Sequence, residues 1–94
     1  MPEFPGGVDS LMQFISATLQ YPNTEADVTG MIITMFTVEK SGKISDIKLL
    51  RGIEKDYDNE ALRIIKLMPD WIPGKKNGKP VNVKTIVPIR FLLK

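Results

Sequence analysis

Trp71-Ile72-Pro73-Gly74-Lys75-Lys76-Asn77-Gly78-Lys79-Pro80, followed by Val81 to Leu93, is the stretch whose reading decides the fold. The first ten residues form a turn-rich basic loop. The remainder predicts one long strand. Period-two alternation puts Val83, Thr85, Val87, Ile89 and Phe91 on one side and Lys84, Ile86, Pro88 and Arg90 on the other. Proline has no amide to give to a ladder and is confined to edges, strand starts and bulges. Pro88 therefore makes this an edge strand with one side open. If its missing amide faces the open side, the backbone groups of Lys84, Ile86 and Arg90 face that side too, while those of the other set bond to the neighbouring strand. An open edge can take up an extended peptide, and the function is expected there. Edge lysines and prolines also protect edges from pairing, so Lys84, Pro88 and Arg90 fit either role.

Working outward, the stretch between a loop at Gly52 to Lys55 and Pro69 predicts a second helix. Tyr57, Ala61, Ile64, Ile65 and Met68 form its buried stripe, Asp56 or Asp58 caps it, and Pro69 stops it. Upstream, Gly30 to Lys40 and Ile44 to Arg51 predict two strands joined by a tight turn at Ser41-Gly42, where glycine supplies the positive φ. The first is apolar on both faces, Ile32, Thr34, Phe36 and Val38 against Met31, Ile33, Met35 and Thr37, as a central strand would be. In the second, Ile47 and Leu49 oppose Asp46 and Lys48. Val8, Leu11, Met12, Ile15 and Leu19 recur on one face of a helix over Val8 to Leu19, with Asp9 in its first turn and Tyr21-Pro22 ending it. Asn23 to Thr29 is a polar connector. Met1 to Gly7 is an irregular lead-in whose Phe4 docks on the body. It has the look of a cut from something longer. The order helix, strand, strand, helix, strand resolves into an α+β domain: two helices on one face of a three-stranded antiparallel sheet, with the first strand central.

Ninety-four residues make one domain, 1–94, able to bury roughly two-thirds of its unfolded surface. A net charge of +2 is too small to argue for nucleic acid. No apolar run is long enough to span a bilayer and no secretory signal is visible. The chain has neither cysteine nor histidine, which removes thiolate chemistry and the commonest general base. No acid pairs with a nucleophile at a catalytic spacing, so no enzyme, catalytic residue, metal site or cofactor is expected. Gly74 to Pro80 fails as a phosphate loop: it is one residue short, proline stands where a magnesium-binding hydroxyl belongs, and no helix follows. Asp56 to Glu60 lacks the glycine of a calcium loop, Ala61 standing there. Lysines beside Trp71 are a weak signal for single-stranded nucleic acid. Trp71 is read instead as packing between the second helix and the third strand, and no nucleic-acid partner is expected.

Taken together, Tyr21-Pro22, the Gly30-led strand ending Phe36-Thr37-Val38, the Gly42 turn, Asp58-x-Glu60-Ala61-Leu62-Arg63 and Trp71-x-Pro73-Gly74-Lys75 resemble the C-terminal domain of TonB. The opening Pro2 to Gly7, Asn77 to Val81 and Pro88-Ile89-Arg90-Phe91 are similar to the form common in Bacteroidetes-type bacteria. The resemblance covers essentially the whole chain. It implies a periplasmic domain of an energy-transducing protein, anchored in the inner membrane of a Gram-negative bacterium through an N-terminal part not seen here. It implies two partners: the TonB box of TonB-dependent outer-membrane receptors, added as a strand to the open edge, and an ExbB/ExbD-type motor acting through that N-terminal part. The expected peptide-binding residues are Gln20, Tyr21, Lys84, Ile86, Pro88 and Arg90. The resemblance allows strand exchange or a homodimer, and the apolar outer face of the first strand is a candidate dimer surface unless the lead-in around Phe4 covers it. A TonB-like domain of a sensor or peptidase, with a signalling or scaffolding role, is the first alternative, and a small basic nucleic-acid binder using Trp71 and the lysine loop is the second. The pattern departs in one respect, Ala26 standing one residue further from Tyr21-Pro22 than is usual.

Overall fold

A computed structural model of the chain describes residues 1–22 and 29–91. Helix α1 spans Gly7–Thr18. Strands β1 (Gly30–Val38) and β2 (Ile44–Arg51) form a hairpin, helix α2 spans Lys55–Lys66, and β3 (Gly74–Lys76), β4 (Lys79–Val81) and β5 (Val83–Phe91) follow. The main sheet is antiparallel in the order β2-β1-β5. The expected central strand is central, and β5 is an edge. The stretch before β5 is more regular than a loop: β3 and β4 pair as a separate small hairpin. Its two-residue turn is Asn77-Gly78, both at positive φ (53° and 78°), the combination that matches strand twist.

The sheet buries one face against both helices. Ile32, Phe36 and Val38 from β1 meet Val87, Ile89 and Phe91 from β5, with Tyr57, Ala61, Ile64 and Ile65 from α2 and Ile15 from α1 above them. Each fully buried large side chain contributes about 1.5–3 kcal/mol. Trp71 is buried among them, its ring edge-on to Phe36 at 5.3 Å. Phe4 docks as expected, edge-on to Trp71 at 5.6 Å. The lead-in is therefore not loose: Glu3 and Ile72 exchange two backbone hydrogen bonds, of 2.9 and 2.8 Å. Because Phe4 lies on the helix side, it does not cover the outer face of β1.

Local differences have local causes. The β1–β2 connection closes through Gly42 N–H donating to the Glu39 carbonyl, with Gly42 at φ 93°, so the turn holds Lys40 as well as Ser41-Gly42. On β2 the register shifts between Met35 and Thr37 of β1, and Asp46 takes φ 50°. The extra residue lets Ile44 join Ile47 and Leu49 against the core, which strict alternation forbids. The cap of α2 is Glu54, whose carboxylate accepts from Asp56 N–H at 3.3 Å, rather than Asp56 or Asp58. Asp58 instead reaches back to the Ile53 amide at 2.8 Å. Helix α1 stops at Thr18, before the Tyr21-Pro22 pair. Its stripe is also shifted: Phe14 packs on the core beside Leu11, Ile15 and Leu19, while Val8 and Met12 stay exposed. Residues 23–28, expected as a connector, with Ala26 and its departure from the family spacing, and residues 92–94, into which the last strand is expected to run, lie outside the described residues.

Candidate binding groove

Strand β5 pairs with β1 from Val83↔Val38 to Phe91↔Gly30 without a register shift. The buried Thr34 hydroxyl donates to the Val87 carbonyl at 2.6 Å, so that carbonyl faces β1. Backbone groups of successive residues point to opposite edges of a strand. Those of Lys84, Ile86, Pro88 and Arg90 therefore face outward, away from β1. The missing proline amide falls on the edge where no ladder bond is lost.

Beside this edge runs a groove of about 620 Å³, mainly apolar. One wall is α1 and its C-cap, through Val8, Leu11, Met12, Ile15 and Leu19. The other is β5, through Ile86, Pro88 and Arg90, and Tyr21 lines it as well. Val8, Met12 and Ile86 are 72%, 59% and 57% exposed; Leu50 and Leu67 are similarly exposed elsewhere, but these three line one groove. Of the six residues expected at the site, Tyr21, Ile86, Pro88 and Arg90 share this groove. Lys84 stands further along the same strand, outside the lining. Gln20 lies on an adjoining depression with Tyr21, Pro22, Glu60 and Arg63.

The end of α1 is held from α2. Glu60, buried, accepts from the Gln20 amide at 2.6 Å and from Arg63 Nε at 2.6 Å. Arg63 Nη2 donates to the Thr18 carbonyl at 2.8 Å, a free acceptor of the last helical turn. One ion pair thus satisfies both a carbonyl of the helix and an amide beyond it, and fixes the path into Tyr21. Tyr21 then stacks edge-on against Phe91 at 5.7 Å. Burial raises the Glu60 carboxyl, but the Arg63 and Gln20 hydrogen bonds and the Arg63 charge outweigh it and hold it below the usual 4.5. Neither this pair nor the α1 wall was singled out in the sequence as part of the site. Glu60 and Arg63 stood in the family-like run, and their i, i+3 spacing was the available signal. For Val8 and Met12, the signal was an apolar stripe wider than the core could cover.

Among the described residues, the domain is a small α+β unit with an open strand edge beside an apolar helix face. The family model for the C-terminal domain of Gram-negative bacterial TonB proteins matches residues 17–93, and the chain belongs to that family. It is thus a TonB-like domain, of a transport-related and non-enzymatic family of periplasmic domains that interact with outer-membrane receptors. Curated proteins and solved structures gave no match. Among the described residues, no helix is long and apolar enough to cross a membrane.

Proposed function

We propose that this domain binds the TonB box of an outer-membrane receptor by adding it as a strand to the outer edge of β5. In this reading it supports energy-dependent transport from the periplasm, driven by an ExbB/ExbD-type motor through a part N-terminal to the domain. The observation that carries the reading is the bulge-free outer edge of β5, unpaired among the described residues and lying beside an apolar groove. Three outward amides (Lys84, Ile86, Arg90) and four carbonyls, Pro88 included, are available to a partner. Each backbone bond adds about 0.5–1.5 kcal/mol net. Association costs several kcal/mol, on the order of 4–15. Binding of a short segment is accordingly modest and reversible, as a transient mechanical coupling requires. Gln20 and Tyr21, held by Glu60 and Arg63, border the end of the groove.

The test is an amide NMR titration with a TonB-box peptide from a receptor of the same organism. Shifts concentrated at Lys84, Ile86 and Arg90, and at Gln20 and Tyr21, are expected. A folded domain whose β5 amides do not respond to millimolar peptide overturns the reading.

A further inference from the structure

The charge of this chain is unevenly distributed. All eleven acidic residues precede Trp71, whereas Lys75, Lys76, Lys79, Lys84, Arg90 and Lys94 follow it. The outer edge strand therefore carries only positive charge. On its face away from the helices the order is Lys84, Ile86, Pro88, Arg90, all exposed: a cation at each end and two apolar residues between. On its other side the groove is walled by the exposed Val8 and Met12 of α1.

Resting on the strand-addition reading, we propose that the partner is a seven-residue extended segment with a carboxylate at each end and apolar residues between. In an added strand, side chains of directly opposed residues share a face. Positions 1 and 7 then lie against Lys84 and Arg90. Positions 3 and 5 lie against Ile86 and Pro88, and positions 2, 4 and 6 turn towards Val8 and Met12. The pattern reads the same in both directions, so it holds for a parallel or an antiparallel partner. Exposed ion pairs add little affinity. Their part is register: a slip by two residues sets a carboxylate on Ile86 or Pro88 and leaves a cation unpaired.

The same arrangement rejects a second copy of this chain. Antiparallel self-pairing that uses the whole edge sets Lys84 against Arg90 at both ends, and parallel self-pairing sets Lys84 on Lys84. Like charges directly opposed are destabilising, and β5 contains no acid to relieve them.

Two peptides of one composition decide the matter when titrated calorimetrically against the 94-residue domain. One has carboxylates at positions 1 and 7, the other at positions 3 and 5. The first is expected to bind about five- to tenfold more tightly, from two exposed pairs, with the difference shrinking at high salt. In the Lys84→Glu/Arg90→Glu double variant, a peptide with lysines at positions 1 and 7 is expected to take over as the tighter ligand. Equal binding of the two acidic isomers overturns this proposal and leaves strand addition standing. Binding of no peptide overturns both. Sedimentation showing a wild-type dimer that Arg90→Glu alone tightens, by setting Lys84 against a carboxylate at both ends, assigns the edge to a second copy and overturns the proposal.

Discussion

Gly42 shows how one residue joins distant parts of this fold. Its φ of 93° suits glycine, and an added Cβ would sit 2.4 Å from the Trp71 carbonyl oxygen. Its own carbonyl accepts from the Trp71 amide at 2.8 Å. Gly42→Ala is expected to cost about 1–3 kcal/mol through backbone strain, with more from the clash, read as a lowered urea midpoint with unchanged slope. Glu60 is a second such residue. Its carboxyl titrates below 4.5 in the folded chain, so the stability it contributes is present above that value and is lost as pH falls through the folded value. The stability gap between wild type and Glu60→Gln is therefore expected at pH 7 and should close in the acid range below 4.5. Urea melts at several pH values measure it, and a gap that widens on acidification would contradict the assignment. Both residues were visible in sequence, Gly42 as a turn glycine and Glu60 within a family-like run. Their contacts were not, since Trp71 and Gln20 lie about 30 and 40 positions away along the chain.

At the scale of elements, the lead-in behaves as part of the core. Phe4 packs against Phe14 and Trp71, both at 5.6 Å between ring centroids, and Glu3 and Ile72 form an isolated bridge. Phe4→Ala is expected to destabilise the domain by about 3–5 kcal/mol. Trp71, the single tryptophan, reports the change as a red shift of its emission. Helix α1 is more divided than its periodicity indicates. Leu11, Phe14, Ile15 and Leu19 serve the core, and Val8 and Met12 serve the groove. Met12→Gln should accordingly leave stability within about 0.5 kcal/mol, as for exposed sites generally, yet weaken peptide binding, measured by the same NMR titration. A large stability loss would show that Met12 belongs to the core.

Across the whole molecule, protection follows sheet order. β1 is bonded on both sides and β5 on one. Hydrogen exchange should therefore be slowest at the β1 amides. The amides of Lys84, Ile86 and Arg90 should exchange at least about tenfold faster than those of Val83, Val87 and Ile89, which face β1. Equal protection of the two sets would mean that the outer edge is covered in solution. Addition of the partner peptide is expected to slow the outward set selectively, which separates strand addition from docking on α1 alone.

By itself the sequence determined the element order, the central position of the first strand and the edge character of the last, and it offered the parity at Pro88 as a conditional that the Thr34–Val87 hydrogen bond then resolved. These follow from short-range physics: side-chain period, glycine at positive φ, and a missing amide that only an edge tolerates. It also carried enough ordered motifs to place the chain in its family. What only the tertiary structure decided is which apolar residues exceed the capacity of the core. Val8, Met12 and Ile86 read as ordinary stripe and strand residues until α1 is set beside the free edge of β5. The bulge at Asp46, the Glu54 cap and the Glu60–Arg63 hold on Gln20 and Thr18 were settled there too. Such contacts join positions far apart along the chain, and no local pattern records which distant backbone group a buried carboxylate will meet.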